Sequence, residues 1–198
     1  MRFLRVFFLI VPGLILPVIA LAAGGSAVQP VRVQAVQADF SQEKHLKILV
    51  RPLISRGRFL FKAPDSLRWE YTSPFHSVLL MDKGRVRKFI EKNGRFVEDT
   101  GMRLDAMQVV MTEISGWLDG RFTDNAAFAV TRDGQAVRLV PKDKGMAVFI
   151  SAIELKLSDR PGLLDSVTIH EGEGAFTRLI FSGAAFNPPI DAGLFAAP

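Results

Sequence analysis

The chain predicts a mainly β (α+β) domain, in which one strongly curved antiparallel sheet is crossed at its mouth by a single amphipathic helix. Three observations predict it. Short runs of alternating apolar and polar residues are separated by tight-turn residues throughout. The strands do not alternate with helices, which argues for antiparallel pairing. The apolar period changes once, between Leu104 and Leu118. About ten strands exceed what one open twisted sheet carries flat, so the sheet must curl or split into layers. A fully packed β-sandwich satisfies the same periodicity, and the pattern does not choose between the two.

The chain opens with Arg2 and Arg5 and an apolar run from Val6 to Ala23, and no further charge occurs before Arg32. Ala20-x-Ala22 fits the small-residue rule for cleavage, and Pro12, Gly13 and Pro17 interrupt the run as a permanent span. Residues 1–22 are therefore expected to be a cleaved signal peptide, and residues 23–198 one exported domain. At about 175 residues that domain is large enough for a sizeable core. With no cysteine, the chain carries neither a disulfide nor a lipid-modified thiol, and it folds on packing alone.

The first strand covers Val36 to Glu43, and an extended reading continues from His45 to Val50. Pro52 interrupts pairing, and Ser55 to Lys62 resumes it. Leu67-Arg68-Trp69-Glu70-Tyr71 has period two, with Leu67, Trp69 and Tyr71 on one face and both charges on the other. Val78 to Met81, Arg85 to Glu91 and Arg95 to Glu98 follow, joined at Asp82-Lys83-Gly84 and Lys92-Asn93-Gly94. Such residues tolerate the positive φ that hairpin turns need. Met107, Val110, Met111, Ile114 and Leu118 then share one helical face with Trp117 beside it, and Gly120 is a plausible stop. Strands return at Phe128 to Thr131, Ala136 to Val140, Val148 to Leu157, Ser166 to Glu171 and Phe176 to Ser182. Asp133-Gly134, Lys142 to Gly145, Arg160-Pro161-Gly162 and Gly172 to Gly174 supply their turns.

The sequence offers little that could carry a reaction. Without cysteine, thiolate chemistry and zinc-thiolate sites are excluded. His45, His76 and His170 lie apart, and His170-Glu171-Gly172-Glu173 reads as a strand end entering a hairpin rather than a metal site. No nucleophile elbow or phosphate-binding glycine loop is present, and the carboxylates sit in turns or beside basic residues. No catalytic residue, metal or cofactor is therefore expected. The whole-chain 25 Lys+Arg loses Arg2 and Arg5 with the leader, leaving 23 against 20 Asp+Glu. That mild excess, scattered singly, argues against a nucleic-acid partner. Sixteen Phe and two Trp against one Tyr suit a large apolar interior. Phe59, Phe61, Leu67, Trp69 and Tyr71 could line a groove for an acyl chain, or could be ordinary sheet packing. Met107 and Met111 could likewise be plain core or an adaptable lid.

Phe40-x-Gln42-x-Lys44, Ser55-x-Gly57-x-Phe59-x-Phe61 and Pro64-x-x-Leu67-Arg68-Trp69-x-Tyr71-x-x-Pro74 together resemble the amino-terminal signature of the LolA family of lipoprotein carriers. Asn187 to Phe195 is similar to that family's closing stretch. The resemblance implies an unclosed antiparallel β-barrel with a helical lid over an apolar cavity. It implies a monomeric periplasmic carrier of lipoprotein acyl chains or other lipid cargo. Cargo would come from an inner-membrane ABC transporter or other exporter and pass to an outer-membrane acceptor, with no reaction. By analogy, the cavity would be lined by Phe59, Phe61, Leu67, Trp69, Tyr71, Leu79, Met107, Met111, Ile114 and Trp117. The chain departs from the family in three places. Ala63 stands where such carriers have a lid-latching arginine, and Arg68 nearby is expected to point away from Trp69. Val31 to Ala38 reads as strand where the family has an amphipathic helix, and no tail follows Pro198. These departures suit a divergent member serving a different lipid or pathway. A non-catalytic envelope adaptor with a filled core is the alternative.

Overall fold

A computed structural model describes residues 33–100, 105–118, 125–160 and 162–198. The expected leader and the helix stop at Gly120 lie outside the described residues. The first half of the chain is a meander of β1 (Ala35–His45), β2 (Leu53–Lys62), β3 (Ser66–Ser73), β4 (Ser77–Asp82), β5 (Arg85–Lys92) and β6 (Arg95–Glu98). Helix α1 (Asp105–Leu118) follows. The second half runs through β7 (Phe128–Asp133), β8 (Ala136–Pro141), the single turn α2 (Lys144–Ala147), β9 (Ala152–Leu157), β10 (Leu164–His170) and β11 (Phe176–Phe186).

All eleven strands join one antiparallel sheet, ordered β6-β5-β4-β3-β2-β1-β11-β10-β9-β8-β7. Only the β1–β11 pairing joins the two meanders, and β6 and β7 remain edges, so the sheet stays unclosed. Directly paired residues share a face. Val36, Phe61, Leu67 and Met81 therefore form one row, and Phe59, Trp69 and Leu79 the next. Leu179, Val167, Leu155 and Val137 continue that face across the second meander. Both halves contribute to one buried cluster with Val110, Met111, Ile114, Trp117 and Leu118 of α1. A sheet whose two halves reach the same helix must curl around it.

The opposite face is more polar and is covered locally. Val78, Leu80 and Phe89 form a small second cluster with Phe96. A 3₁₀ turn at Ala192–Phe195 packs against β3 and β4. Arg68 lies on this face, as alternation predicts, donating to Glu70 Oε2 at 2.9 Å and to the Leu194 carbonyl at 3.1 Å. Asn187 anchors the chain end: its Oδ1 accepts from the N–H groups of Gln34 and Ala35 at 2.7 and 3.0 Å.

The two expected hairpin turns form with positive φ at both central positions, Lys83-Gly84 and Asn93-Gly94. Two strand readings are corrected. The extended reading of His45 to Val50 fails because β1 ends at His45, and residues 46–52 form an exposed tip closed by Leu49 N–H on the Leu46 carbonyl. The strand expected from Val148 begins only at Ala152. Asp143 is a helix cap rather than a turn residue, its Oδ1 accepting from Met146 N–H at 2.9 Å. The Met146 carbonyl then takes the N–H groups of Phe149 and Ile150, which holds the chain out of the sheet.

Gly57 sits at a register irregularity between β2 and β3, where a Cβ would lie 1.8 Å from the Glu70 carbonyl oxygen and 2.9 Å from Phe40 Cζ. Backbone cannot yield to such a contact as a flexible side chain could. Gly57→Ala is expected to destabilise the fold by about 3 kcal/mol or more. Urea titration of the variant beside the parent chain measures this, and a difference under about 0.5 kcal/mol would show that the close approach is not required.

Candidate functional site

The trough is not evenly filled. Beneath α1, Phe59, Phe61, Leu67, Trp69, Met111, Ile114 and Trp117 are all buried. Between the described part of the helix and the sheet lies a void of about 20 Å³, bordered by Val36, Phe59, Ile114, Leu118 and Phe181. The Trp69 ring makes edge contacts with Phe40 at 5.3 Å, Phe59 at 5.4 Å and Phe181 at 6.3 Å. Such aromatic contacts add to the stabilisation from burial alone. Among the described residues, Val110 to Leu118 of the helix are thus seated on a packed aromatic floor.

An open cleft of about 640 Å³ borders Tyr71, and among the described residues no side chain of α1 lines it. Its floor is Tyr71, Leu79 and Ile90; Leu53 and Ile54 form one wall, and Pro74 and Phe75 of the β3–β4 turn form another. Leu79 pairs with Trp69 on β3 and Lys88 on β5, so the floor continues the aromatic row under the helix. Lys88, Glu91, Lys92 and His76 give the cleft a polar rim. Tyr71 joins the two regions. Its ring meets Phe40 edge-on at 5.2 Å and its hydroxyl donates to Gln42 Oε1 at 2.8 Å. Burial pushes that hydroxyl's pKa well above its ordinary value, so it stays a neutral donor.

The residues expected to line a cavity therefore divide. Tyr71 and Leu79 border the open cleft, and Phe59 and Ile114 border the small void. Phe61, Leu67, Trp69, Met111 and Trp117 are packed core in this conformation. The Met107 side chain lies outside the described residues. The sequence reading missed Leu53, Ile54, Pro74, Phe75 and Ile90. A signal for them existed: large apolar residues stand in and beside turns, where polar ones are the norm.

The β3–β4 turn is pinned from behind by a charged cluster. His76 Nε2 lies 2.8 Å from Glu70 Oε1 and His76 Nδ1 lies 2.8 Å from Glu91 Oε2, so the imidazole links β3 and β5. Hydrogen bonding to Glu70 raises the His76 pKa above its ordinary 6.5; partial burial opposes this, and Glu91 adds to it. Burial acts to raise the Glu70 carboxyl, but hydrogen bonds from Arg68 and His76 outweigh it and hold its pKa below the ordinary 4.5. Among the described residues, no group of three His, Asp or Glu side chains is placed to hold a metal ion. Among them, too, no helix is long and apolar enough to cross a membrane.

The described residues thus form an unclosed sheet curled on α1, with an apolar cleft lined by β2, the β3–β4 turn and β5. Residues 31–198 match the family model described as outer membrane lipoprotein carrier protein LolA, and the chain belongs to that family. Among its relatives, an outer-membrane lipoprotein carrier protein of Cupriavidus taiwanensis is 28% identical over 144 residues, and that of Cupriavidus necator is 30% identical over 146. Each alignment covers 71% of this chain but only 65% of the relative's own length. A LolA superfamily protein of Nitrosomonas europaea is similar in structure, with a TM-score of 0.43 and 10% identity, over 84% of this chain and 92% of that one.

The paired shifts set a pH window for the turn. A raised His76 pKa contributes stability that is complete below about 6.5 and is lost as pH rises through the folded-state value. A depressed Glu70 pKa contributes stability present above about 4.5 and lost as pH falls through its folded value. The melting temperature of the parent chain should therefore decline from about pH 6 to about pH 8, and His76→Gln should flatten that decline. Equal slopes for the two proteins would show that the cluster carries no linkage.

Proposed function

We propose that this chain is a periplasmic carrier that holds the acyl chains of lipoproteins or related lipids and shuttles them, as a monomer, from an inner-membrane exporter to an outer-membrane acceptor. No cofactor or covalent step is involved. Residues 1–22 would be the export signal, and residues 23–198 the carrier. The observation that carries this reading is the apolar cleft of about 640 Å³ that continues the aromatic row of β3 and β4. Its size lies within the range of about 300–1,000 Å³ common to ligand sites. Tyr71 and Leu79 would receive the chain end. Phe59, Phe61, Leu67, Trp69, Met107, Met111, Ile114 and Trp117 would become lining as α1 lifts.

Lifting α1 has a definable cost. Val110, Met111, Ile114, Trp117 and Leu118 are each nearly inaccessible to water. At about 1.5–3 kcal/mol for each side chain, exposing the five costs on the order of 10 kcal/mol. An acyl chain returns about 0.8 kcal/mol per buried methylene, so a chain of about a dozen methylenes offsets the whole displacement. Short or polar ligands do not. Opening and loading are then one exchange of apolar contacts, and the empty protein stays shut.

The nearly filled trough favours a second reading, an envelope adaptor that contacts a protein through its loops or sheet edges. Binding of a fluorescent long-chain acyl probe separates them. A carrier binds the probe, and Ile90→Glu, which places a charge on the half-buried cleft floor, is expected to weaken binding about ten-fold or more without loss of the cooperative melt. Native mass spectrometry of protein from an envelope fraction, with lipid extraction, would name the cargo. A clean mass together with no probe binding by the parent chain would sink the carrier reading and leave the adaptor.

A further inference from the structure

The two ends of the sheet differ in chemistry. At one end the turns are polar, with Asp82-Lys83-Gly84, Asp133-Gly134-Gln135 and Ser158-Asp159-Arg160. The other end carries the β1–β2 tip, the β3–β4 turn and the α2 connection, and most of the large exposed apolar side chains gather there. At the tip, Ile48 is 87% exposed and Val50 fully so, with Leu49, Leu53 and Ile54 exposed beside them. Phe75 is 82% exposed on the next turn, and Val148 and Phe149 are exposed farther along the same rim. Soluble surfaces rarely leave so many large apolar groups together at turn positions.

The charges around the tip are of one sign. Ile48-Leu49-Val50 stands between Lys47 and Arg51, and Arg56 follows on β2. No Asp or Glu occurs between Glu43 and Asp65. Lys47, Arg51 and Arg56 make no ion pair among the described residues, whereas Lys44 is held by Glu171 at 2.9 Å and Arg58 lies 3.9 Å from Asp39. Lys92 and Arg95 add exposed cations on the β5–β6 turn. Among the described residues, the acids on this rim are the half-buried Glu43 and Glu171, beside His45 and Lys44, and the exposed Glu91, bonded to His76, Asp143, which caps α2, and Glu173. Apolar groups at the extreme of exposure, flanked by unpaired cations, complement an anionic lipid surface: the cations meet headgroups and the apolar tip enters the boundary beneath them.

We propose that the 46–52 tip, with Phe75 beside it, docks this protein on the surface of an anionic bilayer. This surface adjoins the cleft at Phe75 but does not require the cleft to hold lipid. Its position is nonetheless useful, because Leu53, Ile54 and Phe75 belong to both the docking rim and the cleft wall. A docked molecule would present its cleft mouth to the membrane. Transfer of an acyl chain would then avoid open water.

Co-sedimentation with vesicles tests the proposal, using phosphatidylglycerol with phosphatidylcholine in equal parts and phosphatidylcholine alone. The same chain form is used throughout, so that residues before Val33 contribute equally to every sample. The parent chain should sediment with the anionic vesicles at low salt and be released at high salt. Ile48→Ser with Val50→Ser should weaken binding about ten-fold or more, and Lys47→Gln with Arg51→Gln about five-fold for each charge. Leu194→Ser, an exposed apolar position at the polar end, should bind as the parent does. All of these sites are exposed, and unchanged melting temperatures would confirm that the variants fold. Ile90→Glu separates this proposal from the carrier reading: it should lose the acyl probe and keep the vesicles. A parent chain that stays in the supernatant would overturn the docking proposal, and so would tip variants that bind undiminished. Joint loss of probe and vesicles in Ile90→Glu would assign the contact to the cleft instead. A dimer that the tip variants dissolve, without vesicle binding, would assign the tip to a second copy.

Discussion

The absence of a side chain at Gly57 is the constraint on which the rest of the structure depends. With nothing at that position, the Glu70 carbonyl and the edge of the Phe40 ring occupy the space a Cβ would fill. Phe40 can then lie against both Trp69 and Tyr71, and Tyr71 can reach Gln42. Phe40, Gln42, Gly57, Phe59, Trp69 and Tyr71 come from three adjacent strands, yet they form one packed unit. The sequence signature shared with the LolA family is therefore a packing signature. It fixes the bend of β1 to β3 and builds the aromatic floor. β1 also pairs with β11, so the same strand joins this unit to the second meander.

The helix and the floor are matched in a way that bears on function. Five α1 side chains are sealed against the sheet, and the residual void is too small for anything beyond a water-sized group. The indole N–H groups of Trp69 and Trp117 are buried without an acceptor. Each such donor costs about 1–3 kcal/mol. The contact of α1 with the sheet among the described residues is strongly apolar. A ligand with a long hydrocarbon part restores the apolar contact. Under the proposed carrier reading, the same conformation would be a stable resting state that cargo displaces.

Much of this was legible from period and turn chemistry. Leu67 to Tyr71 alternates, and its three apolar residues face the trough while Arg68 and Glu70 face outward. Val110 to Leu118 has helical spacing, and those residues are the buried stripe. Lys83-Gly84 and Asn93-Gly94 adopt the positive φ that their types suggest. The errors share one physical origin, in that apolar content was read as strand. Ile48 to Val50 is apolar yet unpaired, at an exposed tip closed by Leu49 N–H on the Leu46 carbonyl, and Val148 to Ile150 is held by a cap at Asp143 and carbonyl bonds at Met146. The cleft escaped notice for a related reason. Its walls come from β2, the β3–β4 turn and β5, and only the register brings Leu53, Phe75 and Ile90 together. Whether a row of aromatics is floor or lining depends on how far the helix reaches, which no periodicity contains.

Ala63 gives this member of the family a particular character. Where an arginine would latch the lid through hydrogen bonds, the Ala63 side chain can offer none, and the residue contributes only its N–H to the Gln34 carbonyl. The nearest arginine on the strand, Arg68, is turned to the other face and committed to Glu70 and the chain end. Val110, Met111, Ile114, Trp117 and Leu118 of α1 meet the sheet through apolar contacts. An arginine latch can be released by a polar headgroup competing for its hydrogen bonds. An apolar seal of this kind is released by hydrocarbon. Selection among cargoes would then rest on chain length and number, and the headgroup would be read at the cleft rim by Lys88, Lys92 and the His76 cluster, outside the seal.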